Sequence, residues 1–125
     1  MKLKFKSEYV QNGQPGKVEF TSELLKFENK DGFYHYEFND PEINTLVSIK
    51  IENDKAYINS VGSNLEFVLG QEVLNKYNIE TVGEIEIISL LEKLETKPNF
   101  HLIEYLLKVN DLIIGTFKIE LVIEK

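Results

Sequence analysis

Residues 47–60 read VSIKIENDKAYINS, and the period of their apolar side chains decides the fold. Val47, Ile49 and Ile51 alternate with Ser48, Lys50 and Glu52; after the polar pair Asn53-Asp54, Ala56, Ile58 and Ser60 alternate with Tyr57, Asn59 and Val61. A period of two sends successive side chains to opposite faces of a strand, and two such runs joined by a two-residue polar break read as a hairpin. One face is mostly apolar and the other polar, so each strand buries one side.

The same period extends in both directions. Upstream, Leu3, Phe5, Ser7 and Tyr9 share a face against Lys2, Lys4, Lys6 and Glu8, and residues 11–16, with two glycines and Pro15, form a loop. Val18, Phe20, Ser22 and Leu24 resume the alternation. At Leu24 and Leu25 its parity slips, so that Leu25 and Phe27 carry it on, as one inserted residue in a single strand would do. Asp31-Gly32 is a hairpin signal; beyond it Tyr34, Tyr36 and Phe38 face one way and His35 and Glu37 the other, until Asn39-Asp40-Pro41 breaks the run.

Downstream, Leu65, Phe67 and Leu69 lie between Gly62 and Gly70, and Val73, Tyr77 and Ile79 make a seventh strand. Residues 85–94 are ambiguous in period: Ile85 and Ile87 alternate, whereas Ile88, Leu91 and Leu94 have helical spacing. They read as strand, with a short helix as the alternative. Residues 100–109 and, after Asn110-Asp111, the run through Phe117, Ile119, Leu121 and Ile123 complete about ten strands. The expected fold is all-β, a single domain over residues 1–125, an antiparallel up-and-down meander. Its last strand partners its first, closing a barrel and removing the exposed edges.

At 125 residues, 42% apolar and 28% charged, the composition is that of one globular domain. All 14 basic residues are lysine, and 21 acidic residues bring the net charge to -7. Without arginine or an excess of positive charge, nucleic acid is not an expected partner. The absence of cysteine excludes disulfides and thiolate chemistry. The opening run MKLKFK alternates and holds no continuous apolar stretch, so neither a signal peptide nor a membrane span is read there; the expected location is the cytoplasm, with no membrane association. Abundant lysine, asparagine and isoleucine with no arginine fit an AT-rich coding background.

The order of these strings resembles the YwiB-like family of bacterial proteins, described as calycin-like (lipocalin-like) β-barrels. The run Val47, Ile49, Ile51, Asn53-Asp54, Ile58, then Gly62, Leu65 and Phe67, then Tyr77, Thr81, Gly83, Ile85 and Ile87, with Tyr105 in the penultimate strand, carries the resemblance across nearly the whole chain. It implies a calycin-like barrel and no particular activity. Two positions depart from the family pattern. Its arginine before the glycine falls at Ser60, and its proline and aromatic between threonine and glycine are replaced by Val82 alone. An inward arginine could anchor a ligand's carboxylate or phosphate, whereas Ser60 offers only neutral hydrogen bonds.

No catalytic constellation emerges. His35, beside Glu37, reads as an exposed strand histidine, and His101, sharing parity with Ile103 and Tyr105, as a hydrogen-bonded histidine at the rim. No G-x-S-x-G string occurs, and the glycines lack phosphate-loop spacing. Glu84 and Glu86, and Glu92 and Glu95, read as the solvated side of a sheet; no metal site and no cofactor are expected. The candidate ligand contacts are polar groups on inward faces: Tyr36, Ser60, Asn75, Tyr77 and Tyr105. The leading expectation is a non-enzymatic barrel binding a small, largely apolar ligand. The alternative is an interaction module with a filled interior, paired with a second copy or a transient partner through Leu46, Val68 and Leu74 or residues 87–91. An enzyme using His35 or His101 ranks last.

Overall fold

The computed structural model describes residues 1–60, 63–79 and 81–125. Eleven strands, with no helix among the described residues, run in chain order: β1 (Lys2–Gln11), β2 (Gln14–Glu23), β3 (Lys26–Lys30), β4 (Phe33–Asp40), β5 (Thr45–Glu52), β6 (Lys55–Ser60), β7 (Ser63–Val68), β8 (Glu72–Ile79), β9 (Gly83–Lys97), β10 (Phe100–Val109) and β11 (Leu112–Glu124). All belong to one antiparallel sheet ordered β2-β1-β11-β10-β9-β8-β7-β6-β5-β4-β3. The turns are those the sequence marks. Asn12-Gly13 and Asp31-Gly32 both take positive φ at their two positions, the backbone twist that suits a two-residue hairpin.

The expected pairing of first and last strands is present, running from Lys2 opposite Glu124 to Gln11 opposite Gly115. It does not remove the edges, because β2 lies outside β1 and the ladder ends at β2 and β3. The extra strand arises at Leu24-Leu25. The Leu24 N–H donates to the Met1 carbonyl at 3.1 Å, whereas the Leu25 N–H donates to the Glu37 carbonyl at 2.8 Å. Adjacent residues therefore bond to opposite ends of the sheet. The slipped parity is a corner between two strands, not a bulge within one, and the count is eleven rather than about ten.

The sheet is rolled into a curled half-barrel. β2 and β4 stand first and tenth in the strand order, yet the Phe20 and Phe38 ring centroids are 6.0 Å apart. Phe5 completes this cluster, stacked on Phe20 at 4.9 Å and 5.9 Å from Phe38. Aromatic pairs of this geometry contribute about 0.5–1.5 kcal/mol each beyond their burial. They hold together two sheet ends between which no ladder runs among the described residues. Inside the roll, Leu3, Tyr36, Ile49, Phe67, Leu91, Ile103 and Leu121 form the fully buried core.

Residues 87–94 are strand, within β9. Lys93 pairs with Glu104 and Leu91 with Tyr105, so Glu92 is the extra residue of a bulge. Inward parity passes from Ile87, Ser89 and Leu91 to Leu94 across that residue, which reproduces helical spacing inside a strand. The outward faces repeat a Lys-x-Glu pattern, with ion pairs of 3.3 Å at Lys6–Glu8, 3.3 Å at Lys17–Glu19 and 3.2 Å at Lys93–Glu95. Each is exposed and adds little stability.

Candidate functional site

The inward faces of β1, β2, β4, β5, β6, β10 and β11 line an open-mouthed cavity of about 260 Å³. Period-two alternation places its walls: Phe5, Val18, Phe20, Phe38, Val47, Ile49, Ile58, Phe117 and Ile119 are the apolar positions that each strand turns inward. Five further residues bring polar atoms: Ser7, Gln11, Asp40, Ser60 and Tyr105, with Tyr9 beside them. Exposure separates floor from mouth. Ser7 and Tyr105 are 7% and 6% exposed, and Ile49 is sealed, whereas Gln11 and Ile43 lie open and Asp40 and Ser60 are half-buried.

Two glycines make room for the aromatic floor. A Cβ on Gly16 would lie 2.3 Å from Tyr9 Cζ, and one on Gly115 would lie 2.7 Å from Phe117 Cε2. Tyr9 covers Gly16 from the paired position of the next strand, a cross-strand fit of glycine and aromatic, and Phe117 covers Gly115 from two positions along the same strand. The rings continue inward: Tyr9 to Phe117 at 6.1 Å, Phe117 to Tyr105 at 4.9 Å and Tyr105 to Phe67 at 4.5 Å.

Among the described residues, every side-chain nitrogen or oxygen sealed from solvent has a hydrogen-bond partner. The Ser7 and Tyr105 hydroxyls have no side-chain or backbone partner there, and both line the cavity. Since every sealed polar atom is paired, neither hydroxyl is fully sealed, and each keeps hydrogen-bonding capacity for whatever occupies the cavity. Burial pushes the Tyr105 hydroxyl's pKa upward, so it stays a neutral donor at physiological pH.

The other sequence candidates are placed elsewhere. The Tyr36 hydroxyl and His101 Nε2 are 2.6 Å apart in the sealed core, and His101 Nδ1 lies 3.5 Å from Thr96 Oγ1. The Tyr34 ring and the imidazole are steeply inclined at 68°, with their centroids 4.7 Å apart. Burial holds His101 neutral, with its pKa lowered to about 4, and raises that of Tyr36. His101 is thus a core residue and not a rim residue. His35 is 8% exposed, against the exposed position read from its neighbours: it lies between Glu28 and Lys50 on the flanking strands and beside the Phe33 ring, and its Nε2 meets Ser48 Oγ at 2.9 Å. Its pKa is lowered, chiefly by burial and then by Lys26. Neither histidine lines the cavity.

Asn75 takes a structural place. β7 and β8 share one ladder pair among the described residues, Ser63 with Tyr77, and Asn75 bridges the gap. Its Oδ1 accepts from the Glu66 N–H at 2.8 Å, and its Nδ2 donates to Ser89 Oγ at 2.9 Å and the Val73 carbonyl at 3.2 Å. Ser89 Oγ in turn donates to the Glu66 carbonyl at 2.7 Å. Tyr77, half-buried opposite Ser63 and Ile85, does not line the cavity. Of the five candidates, the fold brings Ser60 and Tyr105 together.

Ser7 and Asp40 are the additions. Ser7 lies between Phe5 and Tyr9 in the inward parity of β1, and Asp40 follows Tyr34, Tyr36 and Phe38 in that of β4. Parity alone marks both; the turn-forming string Asn39-Asp40-Pro41 masks the second. A wider groove of about 660 Å³ shares Tyr9, Tyr105 and Phe117 but is rimmed by Glu8, Lys17, Glu92, Glu104 and Lys118. Charges of both signs open to water make it a poorer apolar site than the cavity. Among the described residues, no group of three or more histidine, aspartate or glutamate side chains could hold a metal ion, and no helix is long and apolar enough to cross a membrane.

No protein-family model matches the chain. An uncharacterised protein of Mycoplasmopsis pulmonis (strain UAB CTIP) is 29% identical over 110 residues, 86% of each chain. The crystal structure of the YwiB protein from Bacillus subtilis superposes with a TM-score of 0.72 over 99% of this chain and 91% of that one, at 16% identity. The resemblance read in the order of the strands is thereby shown in the fold: this chain has the fold of YwiB.

Proposed function

We propose that this YwiB-like half-barrel binds a small, largely apolar molecule in its interior, without catalysing a reaction on it. The observation that carries the reading is the cavity of about 260 Å³ lined by two nine-tenths-buried residues, Ser7 and Tyr105, whose hydroxyls have no hydrogen-bond partner among the described residues. A binding site for a small molecule has an apolar wall and a few placed polar groups. Its volume equals about nine liquid waters at ~30 Å³ each, room for a ligand on the order of ten heavy atoms. The approach of β2 to β4 through Phe20 and Phe38 favours a calycin-like container whose occupant fills the remaining seam.

Native mass spectrometry of freshly purified protein, compared with the denatured mass, tests this. A bound mass of small-molecule size that is lost in the Ser7→Leu and Tyr105→Phe variants supports it. Unliganded protein that also fails to bind any member of an apolar fragment set in solution refutes it.

A second reading, an interaction module, draws on the outward face. Leu74, 57% exposed, pairs with Ile88, and Leu90 with Leu106, so apolar side chains adjoin on three neighbouring strands. An unliganded dimer in the same spectra, dissociated by Leu74→Glu, would favour it.

A further inference from the structure

We infer that the ligand of this cavity carries a positively charged, hydrogen-bond-donating group, such as a primary ammonium, on an apolar body. This rests on the binding reading above and adds the sign of the ligand's charge.

Asp40 is the one charged residue among those lining the cavity, and no lysine accompanies it. With no arginine anywhere in the sequence, an anionic headgroup would meet a carboxylate at the mouth and no cation. Asp40 Oδ1 accepts the Glu42 N–H at 2.9 Å, which fixes the carboxylate by a turn two residues long. Oδ2 makes no hydrogen bond or ion pair among the described residues. The Asp40 residue is half-buried at the mouth, while Ser7 and Tyr105, whose hydroxyls have no partner among the described residues, are buried deeper. Phe5, Phe20, Phe38 and Phe117 present π faces and edges, which suit a cation or an aromatic body and repel an anion at the ring face. An amine entering with an aromatic body first would bury that body among the rings, with its π face open to the Ser7 and Tyr105 O–H donors, and leave its N–H donors at Asp40.

The test compares three probes of similar size: 2-phenylethylamine, 2-phenylethanol and phenylacetate, titrated into the full chain and followed by amide chemical shifts in NMR. The amine is expected to bind tighter than the carboxylate by about tenfold, the worth of one charge-assisted contact in a partly solvated site, with the alcohol between. Asp40→Asn keeps the Oδ1 acceptor of the turn and should bring the ratio to about one. Ser60→Phe, which fills the mouth, should weaken all three together. Competition between the amine and the alcohol in the unmodified protein shows a shared site without relying on either variant.

Equal binding of the three probes overturns the charge inference and leaves the cavity reading standing. Failure of all three to bind refutes both. An amine preference that survives Asp40→Asn, or amine binding that survives Ser60→Phe and does not compete with the alcohol, assigns the effect to the protein's general negative charge and overturns the inference.

Discussion

Lowering the pH from 7.5 to 4.5 should destabilise the protein through one residue in its core. His101 is sealed from solvent, and burial lowers its pKa from 6.5 to about 4. Between those values the unfolded chain binds a proton that the folded chain refuses, so stability is fully present above pH 6.5 and is lost as pH falls toward 4. With these two pKa values, linkage gives a loss of about 2–3 kcal/mol at pH 4.5 from this residue alone. That is a large share of the roughly 5–15 kcal/mol typical of a domain. His35, also lowered, acts in the same direction.

His101→Gln retains an amide to meet the Tyr36 hydroxyl and does not titrate. Urea unfolding of both proteins, followed by circular dichroism because the chain has no tryptophan, should give a smaller acid loss for the variant by about 2 kcal/mol. A parallel fall of the two proteins, or an imidazole that titrates near 6.5 in the folded state by NMR, would refute the reasoning.

Two other outcomes follow from the packing. Asn75→Ala leaves the Glu66 N–H without its side-chain acceptor in a gap that has no continuous ladder, and should cost about 2–4 kcal/mol, with amide exchange accelerating first in β7 and β8. Gly115→Ala drives a Cβ to 2.7 Å from the Phe117 ring and should cost about 1–3 kcal/mol by thermal unfolding, whereas alanine at the open Thr116 position should change stability by less than about 0.5 kcal/mol.

The strand architecture was legible because half-burial imposes a period of two that composition cannot conceal, as Val47, Ile49 and Ile51 show. Two places resisted, for related reasons. A bulge at Glu92 and a corner at Leu24-Leu25 both change parity by one residue, and a linear string contains the change without saying whether the chain stays in its ladder or leaves for another. Closure was over-read because pairing of the first and last strands was taken to end the sheet, and nothing in β2 states that it lies outside β1.

In the candidate site, Ser60 and Tyr105 followed from inward parity, as Ser7 and Asp40 would have. Inward parity does not tell a free hydroxyl from a spent one. Tyr36 meets a histidine 65 positions away, and Asn75 serves backbone groups nine positions away, pairings that only the rolled sheet creates.

The ladder between β1 and β11 has a consequence for how the chain is made. Every other ladder joins strands adjacent in sequence, so each can form soon after its second strand leaves the ribosome. β1 emerges first, and its partner, beginning at Leu112, emerges about a hundred residues later. At usual elongation rates that interval is on the order of ten seconds. Throughout it the β1 edge of the nascent β1–β2 hairpin, bearing Leu3 and Phe5, stays bare, and β11 is the strand that covers it.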